Sequence, residues 1–112
     1  MTITGQNMTM YRGDTKKLVV TVTDESGAYP DISGSDFNWV VYKRTPGNIV
    51  LSKVTPSGIS IINPLGVIEI TLDPEDTENL LGLYLHECEI TDTLGNISTI
   101  FTGSFTVIDS KA

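Results

Sequence analysis

The alternation of apolar and polar residues along this chain is almost entirely that of β-strands. Alternating segments run from Lys17 to Asp24 and from Phe37 to Lys43, and Phe37, Trp39 and Val41 fall on one side of the second segment. Alternation with a period of two buries one face of a strand and exposes the other. Gly, Pro, Asn and Asp interrupt the pattern roughly every ten residues, the spacing of short strands joined by tight turns.

One segment departs from this period and predicts a short helix. Asp73-Pro74-Glu75-Asp76 follows the apolar run Val67–Leu72. Asp caps helix N-termini, Pro suits the first helical position, and acidic residues are stabilised at the positive end of the helix dipole. We therefore expect a helical crossover that ends near Gly82 and leads into the strand Leu83–Thr91.

The last third of the chain predicts the topology. After the crossover comes a strand with Tyr84, a turn at 92–96, and a final strand from Ile97 to Ile108. In an immunoglobulin-like sandwich Tyr84 would occupy the position of the tyrosine corner, and its hydroxyl would hydrogen-bond back to the crossover. Trp39 would occupy the position of the conserved tryptophan in the core. His86 stands where antibody domains carry a half-cystine.

The fold class predicted is all-β: an immunoglobulin-like β-sandwich of about seven or eight strands with one short helical crossover. We expect one domain over residues 1–112, with loose ends at 1–6 and 110–112. Because Cys88 is the only cysteine, the chain cannot form an internal disulfide. We expect Cys88 to be buried. Apolar packing alone must then hold the two sheets together.

The net charge of the chain limits the classes of partner that it can bind. Fourteen acidic residues oppose seven basic ones, giving a net charge of −7. Without a basic stripe such a chain repels phosphate backbones, so we expect neither nucleic acid nor an anionic membrane as a partner. No apolar run reaches the ~20 residues of a membrane helix. The N-terminus lacks the basic start and apolar core of a signal peptide.

Three motifs are better explained by structure than by chemistry. Arg12-Gly13-Asp14 matches an integrin-recognition tripeptide, but Gly-Asp before a strand is ordinary turn chemistry. The acidic residues between Asp73 and Glu78 lack the alternating ligands of an EF-hand loop. A single His86 near a single Cys88 makes a poor zinc site, and no serine has a nucleophile context. We therefore expect no catalytic residue, no metal and no cofactor.

The outward side of the sheet is the candidate site. If Trp39 and Tyr84 point inward, several apolar residues on neighbouring strands point outward. A contiguous apolar sheet face marks a protein contact more often than ordinary surface, although scattered apolar residues are common on surfaces. The predicted interface residues are Val40, Tyr42, Leu83, Leu85 and Ile100.

A family resemblance covers most of the chain. The segments that carry it are Tyr11–Thr15 running into Leu18–Val22, Tyr29–Gly34 before Phe37–Lys43, and Leu72–Thr77 through Tyr84–Asp92 to Thr102–Val107. Together they resemble small immunoglobulin-like structural proteins of tailed bacteriophages and prophages, similar to the N-terminal domain of phage upper baseplate proteins.

The resemblance implies a non-enzymatic virion structural or assembly module acting through protein–protein contacts in a tail, baseplate or capsid. It implies other phage structural proteins or further copies of this chain as partners. The protein would then be a homo-oligomer or part of a larger assembly, in the virion or in the host bacterial cytoplasm during assembly. The alternative is a bacterial adhesion or carbohydrate-binding sandwich. Such binders usually display exposed aromatic residues, in which this chain is poor.

Overall fold

The computed structural model describes residues 6–23, 27–28 and 30–110. Within these residues the chain forms eight strands and one short helix. In chain order they are β1 (Met8–Tyr11), β2 (Lys16–Thr21), β3 (Asp36–Tyr42), β4 (Ile49–Val54), β5 (Ile59–Asn63), β6 (Val67–Leu72), α1 (Pro74–Thr77), β7 (Gly82–Thr91) and β8 (Ile97–Ile108). The predicted loose ends fall mostly outside the described residues.

The strands form two sheets. One has five strands in the order β1-β8-β7-β3-β4, and the other has three in the order β2-β6-β5. β1 runs parallel to β8, and the other pairs are antiparallel. This order matches an immunoglobulin-like sandwich, in which antiparallel pairs within a sheet, here β3-β4, β5-β6 and β7-β8, alternate with connections that cross to the other sheet. β3, β7 and β8, which carry the residues of the predicted interface, lie in one sheet.

The core lies between the inner faces of the two sheets. From the larger sheet Phe37, Trp39 and Phe105 are fully buried, and from the smaller sheet Ile68 and Ile70 oppose them. These residues sit at alternate positions of their strands, as a period of two requires. The prediction that Trp39 is buried is confirmed by an exposed fraction of 0%.

The crossover between the sheets is anchored at both ends. Asp73 is the N-cap of α1, and its backbone N–H donates to the Asp76 carboxylate over 2.8 Å. The Tyr84 hydroxyl accepts the Leu81 N–H over 3.1 Å and lies 3.3 Å from the Leu81 carbonyl, to which it donates. The tyrosine corner predicted from the sequence is therefore present, and it ties the crossover to the start of β7.

A bulge in the pairing of β7 with β8 changes one predicted orientation. Cys88 pairs with Phe101 and Glu89 with Thr99, so Ile100 is an extra residue on β8. A bulge interrupts the alternation of faces. Ile100 and Phe101 consequently both lie in the core, exposed by only 6% and 5%. The expectation that Ile100 points outward was wrong.

Replacing Trp39 tests the core. We expect Trp39→Ala to lower the free energy of unfolding by about 3–5 kcal/mol, because it leaves a large cavity between the sheets. Trp39→Phe keeps most of the ring volume and should cost less. Urea unfolding of the two variants measures the difference. Tryptophan emission typical of water in the folded wild type would contradict the burial.

Cys88 gives a second test. Burial raises the pKa of its thiol to about 12, with a smaller contribution from the nearby Glu89 carboxylate. A neutral, buried thiol reacts slowly because the thiolate is the nucleophile. We expect a thiol reagent at neutral pH to label Cys88 only after denaturant is added. Reducing agent should leave the melting temperature unchanged, and a fall would indicate a disulfide between chains.

Candidate functional site

The outer face of the five-stranded sheet carries a row of large apolar side chains. The strand register places Leu85 of β7 beside Tyr42 of β3 on one side and beside Ser104 of β8 on the other. Tyr42 is in turn beside Ile49 of β4. Three neighbouring strands thus contribute a large apolar side chain to this row, and β8 contributes Ser104. Ile49 at the end of the row is 62% exposed.

Further exposed apolar residues lie on the same face, toward the start of β7 and the ends of β1 and β8. Leu83 lies two residues before Leu85 and is 62% exposed. At the sheet edge Ile108 of β8 pairs with Tyr11 of β1, with exposed fractions of 43% and 54%. The side chains of this region, called the outer patch below, are Tyr11, Tyr42, Ile49, Leu83, Leu85 and Ile108.

The outer patch overlaps only in part with the predicted interface. Tyr42, Leu83 and Leu85 belong to it. Val40 faces the same way but lies one row further along β3, beside Glu87. Tyr11, Ile49 and Ile108 were missed, because the parallel pairing of β1 with β8 and the bulge between Val41 and Tyr42 bring them to this face. The only sequence signal for placing these three residues in the interface was that their side chains are apolar.

Beyond the outer patch the same face turns acidic. Glu87 and Glu89 follow Leu85 along β7, and Asp36 pairs with Thr91 at the far end. No ion pair involves Glu87 or Glu89 within the described part of the chain. The outer face therefore has an uncharged apolar region and a separate acidic region.

On the inner face of β7 lies the single histidine. The Trp39 indole Nε1–H donates to His86 Nδ1 over 3.1 Å, and His86 Nε2 lies 2.6 Å from the Gln6 carbonyl oxygen. Nε2 therefore carries the proton. Burial lowers the pKa of His86, and the Gln6 carbonyl opposes this shift. With both ring nitrogens occupied, His86 has no free base for catalysis, and with an exposed fraction of 3% it is a residue of the core.

A groove beside His86 has a mixed polar and apolar lining. It has a volume of about 510 Å³ and lies between β2 and the edge formed by β1 and β8. Met8, Leu18 and Phe101 are among its lining residues, together with Lys16 and Lys17 near one end of β2. Because His86 is its only titratable ring and is already bonded twice, the groove offers no acid–base pair.

The Arg12-Gly13-Asp14 tripeptide forms the turn between β1 and β2. The Arg12 guanidinium pairs with Asp109 over 2.6 Å. The Gly13 N–H donates to Thr77 Oγ1 over 2.9 Å, with Gly13 in the left-handed region at φ 80°. The tripeptide thus connects the two sheets to the crossover, which agrees with its interpretation as a turn.

Asp76, at the centre of the acidic residues at α1, also has structural partners. Asp76 caps the helix and forms an ion pair with Lys53 over 2.8 Å, both side chains being mostly buried. Within the residues that the structure describes, no group of three or more potential metal-binding side chains comes together. The same residues include no helix of the length and apolarity needed to cross a membrane.

His86 makes stability depend on pH. Its pKa is lowered in the folded protein, while in the unfolded chain it titrates near 6.5. Below that pH the unfolded chain binds more protons, so the free energy of unfolding should fall as the pH drops from about 7.5 to about 5.5. Urea unfolding across this range measures the effect. His86→Gln keeps a donor and an acceptor but does not titrate, and an equal fall in this control would contradict the assignment.

Comparisons with known proteins identify the fold. No protein-family model and no curated protein sequence matches the chain. A chicken TCR crystal structure is similar with a TM-score of 0.59 at 11% identity, covering 96% of this chain and 55% of that chain. This chain thus spans about half of that one. CopC from Methylosinus trichosporium OB3b is similar with a TM-score of 0.44 at 18% identity, covering 87% of this chain and 98% of that one. The similarity to the chicken TCR, together with the order of the strands, shows an immunoglobulin-like β-sandwich.

Proposed function

We propose that the protein is a non-enzymatic contact module that joins a larger protein assembly through its outer patch. The observation that carries the proposal is the largely apolar surface across the five-stranded sheet, from Tyr11 on β1 to Ile49 on β4, in which the hydroxyl-bearing residues of β1 and β8 are interspersed. Contiguous exposed apolar patches of this kind mark protein contacts. Covering one removes apolar surface from water at roughly 25 cal/mol per Å².

The architecture leaves this face free for a partner. A sandwich needs only the inner face of each sheet for its own core, where Trp39 and Phe105 are buried. Leu83 and Ile49 are each 62% exposed and add little to that core. Because the net charge of −7 opposes unspecific association, the protein can stay dissolved while this face is uncovered.

The assembly we propose is a tailed-phage or prophage virion, in its tail, baseplate or capsid. Support for this comes from the sequence resemblance, above all Tyr11–Thr15, Leu72–Thr77 and Thr102–Val107. The contact function itself is supported by the outer patch and does not depend on the kind of assembly.

A bacterial adhesion or carbohydrate-binding module is the second candidate. Tyr11 and Tyr42 lie on the same face, as stacking platforms for sugar rings would. The positions between them carry mainly large apolar side chains, Leu83, Leu85 and Ile108, with Thr9, Ser104 and Thr106 supplying hydroxyl groups. This composition favours a protein partner, and a glycan array probed with the purified protein would distinguish the two.

Leu85→Glu tests the proposed function. It places a charge in the middle of the outer patch, so we expect the fold to remain and assembly to weaken by at least about tenfold, or about 1.4 kcal/mol. The protein would be produced together with the products of its neighbouring genes, and its amount in sedimented particles measured.

Ile97→Glu is the matched control. Ile97 is 65% exposed on the same sheet face, but it pairs with Thr91 at the acidic end. It should leave assembly unchanged. If Leu85→Glu unfolds the protein, Leu85 faces the core and the orientation of β7 is inverted. If the variant changes neither folding nor assembly, the contact with the partner lies elsewhere on the protein.

A further inference from the structure

We propose that the outer patch binds a second copy of this chain, face to face, about a two-fold axis lying in the plane of the interface. The inference rests on the proposed function, since it uses the same surface, and it names the partner. Three features support it: the chemistry of the outer patch, the position of the acidic residues and the size of the surface.

The chemistry of the outer patch suits self-association. In a two-fold interface both copies present the same surface, so that surface must be complementary to itself. The outer patch is uncharged, and the residues interspersed on β1 and β8 are the hydroxyl-bearing Thr9, Ser104 and Thr106. The charges next to Tyr11 and Ile108 are those of Arg12 and Asp109, which already pair with each other over 2.6 Å. Two copies can therefore be brought together without burying an unpaired charge, which would be costly.

The acidic residues are placed where a second copy does not oppose them. Glu87 and Glu89 lie further along β7 than Leu83 and Leu85, at about 3.4 Å per residue. If the two-fold axis crosses β7 at right angles near Tyr84, β7 of the second copy runs in the opposite direction to β7 of the first. The acidic residues of the two copies then lie roughly 20 Å or more apart, beyond the screening length of about 8 Å at physiological salt. A partner covering the whole face would instead have to supply cations to Glu87 and Glu89.

The size of the outer patch predicts a reversible dimer. It extends over five strands about 4.8 Å apart and at most about five residues along each, or roughly 400 Å² per copy. Two copies would bury roughly 800 Å² in total, below the about 1,000 Å² at which stable specific interfaces begin, so the contact is of the weak, transient class. We expect a dissociation constant of about 1–100 µM.

Analytical ultracentrifugation of the full chain tests the proposal. The wild type should show a monomer–dimer equilibrium in this range, and Leu83→Glu should weaken it by at least about tenfold. Ile97→Glu adds the same charge about 27 Å along the same face and should leave the equilibrium unchanged. Because the two copies carry the same net charge, added salt should tighten the dimer or leave it unaffected.

Three results would overturn the proposal. They are a wild type that stays monomeric up to about 1 mM, an Ile97→Glu variant that dissociates as readily as Leu83→Glu, and a dimer that salt weakens. Circular dichroism and the emission of Trp39 show whether each variant is folded.

The result is separable from the proposed function. A monomeric wild type whose Leu85→Glu variant still fails to enter particles would reject the second copy and retain the contact module. A dimer that Leu83→Glu breaks, with Leu85→Glu entering particles normally, would support the second copy and reject the assembly role.

Discussion

The hydrogen bond between Trp39 and His86 is the polar contact at the centre of the sandwich. A buried indole N–H needs an acceptor, because leaving it unpaired in an apolar core costs free energy. His86 Nδ1 supplies that acceptor, and the His86 ring also packs edge-on against Phe101 at 5.2 Å. The histidine thus occupies the position of a half-cystine and contributes packing and a hydrogen bond instead of a covalent link.

His86 also positions the residues just before β1, because its second ring nitrogen binds the backbone of Gln6. His86 Nε2 donates to the carbonyl of Gln6, whose own N–H donates to Thr102 over 3.0 Å. Residue 103 must be glycine, since a side chain there would collide with the Gln6 backbone. Asn7 then accepts the N–H of Ser104 over 2.9 Å, which leads into the parallel pairing of β1 with β8. The core histidine and the edge strand are therefore parts of one arrangement.

The two faces of the larger sheet have separate tasks. The inner face holds Trp39, Phe105 and His86, and the outer face holds the outer patch and the acidic residues. Because successive side chains on a strand point to opposite sides, both sets fit on the same strands without competing. The residues of the outer face can then change without loss of the core, because they contribute little to it.

The sequence by itself determined the strands, the capped crossover, the buried Trp39 and the tyrosine corner at Tyr84. Each depends on local alternation, turn chemistry or short-range capping, and local patterns record these directly. It also indicated which side of β7 faces outward. The tertiary structure alone decided that Ile100 is buried and that Tyr11, Ile49 and Ile108 join the outer patch. Bulges and the pairing of distant strands caused these differences. A bulge shifts the register by one residue and pairing joins segments far apart in the chain, so neither leaves a local signal.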